Sequence, residues 1–95
     1  MKAHRQNFER TTDTGAEMRL YRLDPPMSPD HGDPTEYVIV SALACAWDTG
    51  RPETLIFRAD KEGKVQDYMD LPGSYRGGTD HNKALENTGY EVIEG

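Results

Sequence analysis

The sequence predicts an α+β domain: a small, mainly antiparallel sheet of four or five strands with one short helix. Three observations point there. The longest apolar run, Tyr37 to Trp47, opens on β-branched residues that suit a buried, pleated strand. A turn segment, Asp48–Pro52, leads directly into a second apolar segment, Glu53–Ala59, at the spacing of sequential antiparallel strands. Only Asp80–Thr88 combines helical periodicity with a capping residue before it and a glycine after it.

Taken in order, residues 1–16 are polar, with Phe8 the one large apolar side chain, and read as a flexible N-terminal segment. The domain proper is expected over 17–95. Glu17–Leu23 alternates weakly, Met18 and Leu20 against Arg19 and Tyr21, and reads as the first strand. Asp24-Pro25-Pro26 should end it, because proline cannot donate to a ladder. Residues 25–35 contain Pro25, Pro26, Pro29 and Pro34 and read as a long loop. Tyr37–Trp47 is taken as one continuous strand, although its Ala-rich second half would also suit a helix. Asp60–Gly63 is a hairpin loop with Gly63 available for positive φ. Lys64–Asp70 then returns as a strand, Val65 and Met69 on one face, Gln66 and Tyr68 on the other. The helix over Asp80–Thr88 places His81, Ala84, Leu85 and Thr88 on one face, with Thr79 or Asp80 capping its first amides. Tyr90–Ile93 is a terminal edge strand. One two-turn helix is too little to cover such a sheet, so a partner or a homodimer is expected over the bare face or edge.

Composition narrows the function. The chain has 95 residues and a formal charge of −6, from 17 acidic and 11 basic side chains, with 35 % apolar residues. This is one domain with one core, too small for a deep walled active site as well. The acidic balance disfavours direct nucleic-acid binding, which needs excess Lys and Arg, and favours basic partners. The single cysteine, Cys45, excludes an intramolecular disulfide and fits a reducing cytoplasm; its place in the apolar run predicts a buried thiol. No signal-peptide h-region precedes the domain, and no apolar run reaches the length that spans a bilayer.

The candidate site is the Gly-rich loop Leu71–His81, where glycines, a cation, a hydroxyl and a helix start converge. Tyr75, Arg76, Gly77, Gly78 and Thr79 are the candidate partner- or anion-binding residues. Glycines allow backbone amides to approach a ligand, and Arg76 could add a charge-assisted contact. The match to a phosphate-binding P-loop fails, since no Gly-Lys-Ser/Thr follows. Gly73-Ser74-Tyr75-Arg76-Gly77 lacks the leading glycine of a nucleophile elbow. His31 with Asp24, Asp30 and Asp33, or with the distant Asp80 and His81, supplies metal-ligand types without metal-ligand spacing, so no metal and no cofactor is assigned. Asp67 and Asp70 carry no acid–base signal. The aromatics Tyr21, Tyr37, Trp47, Tyr68, Tyr75 and Tyr90 are candidate interface anchors, since amphipathic rings are enriched at binding hot spots.

Three phrases carry a resemblance: Tyr21–Met27, Tyr37–Ala42, and Asp70–Gly78 continuing through Asp80–Leu85 to Gly89–Val92. Over roughly residues 18 to 93 the chain resembles small uncharacterised accessory proteins encoded by bacteriophages of actinobacteria. The resemblance implies a setting, the cytoplasm of an infected bacterium, and action on a host or phage protein; it implies no catalytic residue. The reading is therefore a non-enzymatic protein-binding module that modulates a host protein. The alternatives are a small anion- or nucleotide-binding protein using Gly73–Thr79, and an acidic mimic of nucleic acid. The mimic is disfavoured because its carboxylates are interspersed with Lys and Arg.

Overall fold

The apolar run that begins at Tyr37 lies in the middle of the sheet. The structure, a computed structural model, describes residues 1–28, 33–46 and 50–94. Its strands are β1 (Lys2–Thr11), β2 (Glu17–Met27), β3 (Thr35–Leu43), β4 (Glu53–Ala59), β5 (Tyr75–Arg76) and β6 (Glu91–Ile93), with one helix, α1 (His81–Asn87), between β5 and β6. They form a six-stranded sheet in the order β5-β4-β3-β2-β1-β6. Every pairing is antiparallel except β1 with β6, which is parallel, so the sheet is mixed and has more strands than the four or five expected.

The expected hairpin is present. β3 and β4 pair antiparallel from Tyr37↔Ala59 to Leu43↔Glu53. β3 stops at Leu43 rather than Trp47, because the small Ala residues that follow have little to pack on a pleated surface. Ala46 folds back, its amide donating to the Arg51 carbonyl at 2.9 Å. Cys45 is consequently exposed, which corrects the expectation of a buried thiol. Trp47 and the first two residues of the Asp48–Pro52 turn lie outside the described residues, as do residues 29–32 of the 25–35 loop.

Two further corrections concern the chain's polar start and its prolines. Residues 2–11, expected to be flexible, form β1, with Ala3 fully buried opposite Leu23. β2 continues through Pro25 and Pro26 to Met27 instead of ending at Leu23. The prolines sit where the β2–β3 register shifts, between Arg22 and Met27, so their missing N–H breaks no ladder bond.

The helix ends as its sequence dictates. Asp80 is the N-cap, and its Oδ1 accepts the Lys83 amide at 3.1 Å. After the C-cap Thr88, Gly89 takes φ +91°; its amide donates to Glu86 O at 2.9 Å and that of Tyr90 to Leu85 O at 3.0 Å. This pair of bonds is the Schellman ending. Ala84 and Leu85 pack on Tyr21, Leu23, Val38, Val40, Ile56 and Tyr90. Burying a side chain such as Leu85 stabilises the fold by roughly 1.5–3 kcal/mol.

The opposite face is not bare. Leu20, Ile39 and Ala59 are buried there, with Phe8, Met18, Tyr37 and Val65 packed against them. The Phe8 ring lies so close to Gly63 that a Cβ at Gly63 would sit 2.6 Å from it. Phe8 is in β1 and Gly63 follows β4, three strands away, or about 14 Å on a flat sheet. The sheet therefore curls until β1 meets the turn after β4. This curl covers the face that was expected to need a partner.

Candidate functional site

Residues 60–80 wrap the outer edge of β4, and this edge holds both segments with functional interest. The return strand expected over Lys64–Asp70 is reduced to one bridge, Ala59↔Val65, followed by a hydrogen bond from Gln66 N to Arg58 O at 2.8 Å. The next anchor is Leu71 N to Ile56 O, also 2.8 Å. A regular antiparallel ladder matches residue for residue. Here Gln66 to Leu71 spans five residues while Arg58 to Ile56 spans two, so the chain between the anchors is forced outward. The Met69 amide donates to Asp67 Oδ1 at 3.0 Å, closing a local Asx turn at the tip.

The residues at this tip are Asp67, Tyr68, Met69 and Asp70. Tyr68 and Met69 are each 74 % exposed; among the described residues the one other exposed large apolar side chain is the terminal Met1. The Tyr68 ring stands edge-on to Phe57, with centroids 5.5 Å apart. Sequence reasoning named Tyr68 as an interface aromatic and passed over Met69, because Val65 and Met69 fit the alternation of a strand. The signal that could have found the excursion is Asp67, two residues before Met69 and able to cap its amide.

The Gly-rich loop behaves differently. Its polar groups are engaged by β4. Ser74 Oγ accepts the Ile56 amide at 2.8 Å and donates to Leu71 O at 2.8 Å, so a side chain replaces a ladder rung. Gly77 N donates to Pro52 O at 2.8 Å. The hydroxyl of Thr54, fully buried, donates to Gly78 O at 2.9 Å and accepts Asp80 N at 3.1 Å. The amides that an anion would need at Gly77 and Asp80 are thus already paired.

Four of the five candidate residues, Tyr75, Arg76, Gly77 and Gly78, contact other parts of the fold. Tyr75 is half-buried, packs on the helix-side core and pairs with Thr54, with Lys83 Nζ 5.1 Å from its ring centroid. Arg76 is exposed and 3.5 Å from Glu53 Oε2. Gly77 takes φ +100°, but Gly78 does not have positive φ. Thr79 is exposed beside the N-cap. The strained glycine is Gly73, at φ +102°, where a Cβ would strike the Ala84 carbonyl.

Two of the six aromatics, Tyr21 and Tyr90, are core residues rather than surface anchors. Tyr90 donates its hydroxyl to Pro25 O at 2.7 Å. Tyr21 has no hydrogen-bond partner for its hydroxyl among the described residues, and burial pushes that phenol above its ordinary range. Nearby, Arg5 pairs with Glu9 and, at 2.9 Å, with Glu94. The Arg5 hydrogen bond holds the Glu94 carboxyl below the usual carboxylate range. His81 Nε2 lies 2.8 Å from Glu17 O, and burial lowers the affinity of the imidazole for a proton. A neutral ring donates that hydrogen bond from Nε2. Among the described residues no group of three His, Cys, Asp or Glu side chains could hold a metal ion, and no helix is long and apolar enough to cross a membrane.

The chain matches no family model, no curated protein and no solved structure.

Proposed function

We propose that this chain is a non-enzymatic protein-binding module, a phage-encoded modulator of a host protein. The observation that carries the reading is the Asp67–Asp70 tip. Its two apolar side chains are held out of the core by a backbone pinned on both sides, at Gln66 and Leu71. Isolated exposed apolar residues are ordinary; adjacent ones held at a structured tip mark an interaction site more often. The Gly-rich loop supports the same ranking from the other side, since its amides at Gly77 and Asp80 serve the fold. The setting follows from the resemblance to phage accessory proteins.

The test is affinity capture by the full chain from a lysate of an actinobacterial host, with mass spectrometry of what is retained. The expected result is one host protein retained stoichiometrically through washing. Retention of no protein, with stabilisation of the chain by a phosphate compound instead, would replace this reading with the anion-binding one.

A further inference from the structure

We propose that the tip Asp67-Tyr68-Met69-Asp70 docks on a partner protein surface that places Lys or Arg beside apolar side chains. The inference rests on the binding-module reading and adds the surface and the chemistry of its partner. The apolar half comes from Tyr68 and Met69, each 74 % exposed. Tyrosine combines a large ring with a polar end, and methionine adapts its unbranched chain to irregular gaps. The Tyr68 side chain and the Met69 backbone are held in place. The Tyr68 ring is braced edge-on by Phe57, and the Asp67 carboxylate holds the Met69 amide. A braced side chain has less rotamer freedom to lose on binding.

The charged half comes from the brackets. Asp67 and Asp70 flank the apolar pair, and among the described residues neither forms an ion pair. One oxygen of Asp67 is engaged by Met69, and the rest of both carboxylates faces solvent. The preceding turn adds Asp60 and Glu62 against Lys61 and Lys64, so the local charge stays negative. Two carboxylates around an apolar pair complement a basic surface with an apolar centre, and the field would steer such a partner. The same charges repel nucleic-acid phosphates and anionic lipid surfaces, which leaves a protein as the occupant.

The experiment pans the immobilised full chain against displayed random peptides, then titrates synthesised winners in solution. Recovered peptides should carry an aromatic or aliphatic residue next to Lys or Arg. The double variant Tyr68→Ser/Met69→Ser should weaken their binding by about tenfold or more, the size expected for losing hot-spot anchors. Asp67→Asn/Asp70→Asn should weaken it less and flatten its dependence on salt. Arg76→Ala should leave it unchanged. Unaltered denaturation midpoints for these variants confirm that the fold is intact. Recovery of no peptide, of peptides without basic residues, or of peptides indifferent to the tip substitutions overturns the proposal. So does concentration-dependent dimerisation of the native chain that the double variant abolishes, which would make a second copy the occupant. A host protein that binds the double variant as tightly as the native chain sinks this inference and leaves the binding-module reading standing.

Discussion

Two segments lie on the same edge of β4, a few residues apart, and the chain treats them in opposite ways. Gly73–Thr79 turns its polar groups inward: Ser74 Oγ, Gly77 N and Gly78 O all bond to β4 or to Pro52 just before it. Asp67–Asp70 turns its apolar groups outward, between two backbone anchors on that same strand. The difference teaches that glycine content is a poor guide to a binding loop. Glycine marks where backbone must come close, and here it comes close to the protein's own helix.

The sharpest way to break the comparison is at Gly73. A side chain there meets both a positive φ and the Ala84 carbonyl, so Gly73→Ala is predicted to destabilise the fold by about 2–4 kcal/mol, strain and overpacking together. Urea denaturation measures this, and an unchanged midpoint would show that the helix can move away at little cost. Gly78→Val should cost less, because Gly78 lacks positive φ and a Cβ there meets only the Tyr75 ring at 3.2 Å.

Next in size is Thr54→Val, which keeps the shape and removes a hydroxyl holding both Gly78 O and Asp80 N. The predicted loss is about 1–3 kcal/mol, the cost of leaving buried backbone groups unpaired. The same denaturation experiment on Tyr68→Ser/Met69→Ser should read within about 0.5 kcal/mol of the native chain, as for surface substitutions. If the tip variant is the more destabilised of the two, the roles given to the two segments are reversed.

The helix start offers a pH test. Burial lowers the His81 pKa from its ordinary 6.5, so below that pH the unfolded chain takes up a proton that the folded chain resists. Arg19 and Arg5 oppose protonation as well, while the Glu17 carbonyl and side chain favour it. Stability should therefore fall as pH drops from about 6.5, and His81→Gln should flatten that part of the curve. At still lower pH the Glu94 carboxyl, held down by Arg5, adds a loss of the same sign. A stability curve that is flat from neutral pH down to about 5 would show that His81 protonates freely.

The smallest effect belongs to Arg76→Ala. Arg76 is exposed and its partner Glu53 half-buried, 3.5 Å away, so about 1 kcal/mol is predicted, measured as a small shift in midpoint that shrinks in high salt.

How legible all this was in the sequence depends on what each element packs against. The β3–β4 pairing was readable because Val38, Ile39 and Val40 are buried and β-branched. The helix was readable because the Asp80 carboxylate caps its start and Gly89, lacking a side chain, takes the positive φ that ends it. β1 was not, since its ladder with β2 needs only Ala3 buried and accepts Lys, Arg and Gln elsewhere. The covered second face was also hidden, because the contact of Phe8 with Gly63 depends on curl across several strands. The tip escaped notice for a related reason. Whether Lys64–Asp70 stays in register with β4 is decided by the Asx turn at Asp67 and by Leu71 reaching Ile56 O, neither of which alters hydrophobic alternation.

Amide hydrogen exchange on the full chain, with and without a peptide recovered by panning, tests the contrast between the two segments most directly. Without peptide, Gly77 and Asp80 should be protected by their bonds to Pro52 and Thr54, while Tyr68 and Asp70 exchange freely. With peptide, protection should rise across Asp67–Leu71 and stay unchanged over Tyr75–Thr79. New protection confined to Tyr75–Thr79 would contradict the account and return the Gly-rich loop to the place of the binding site.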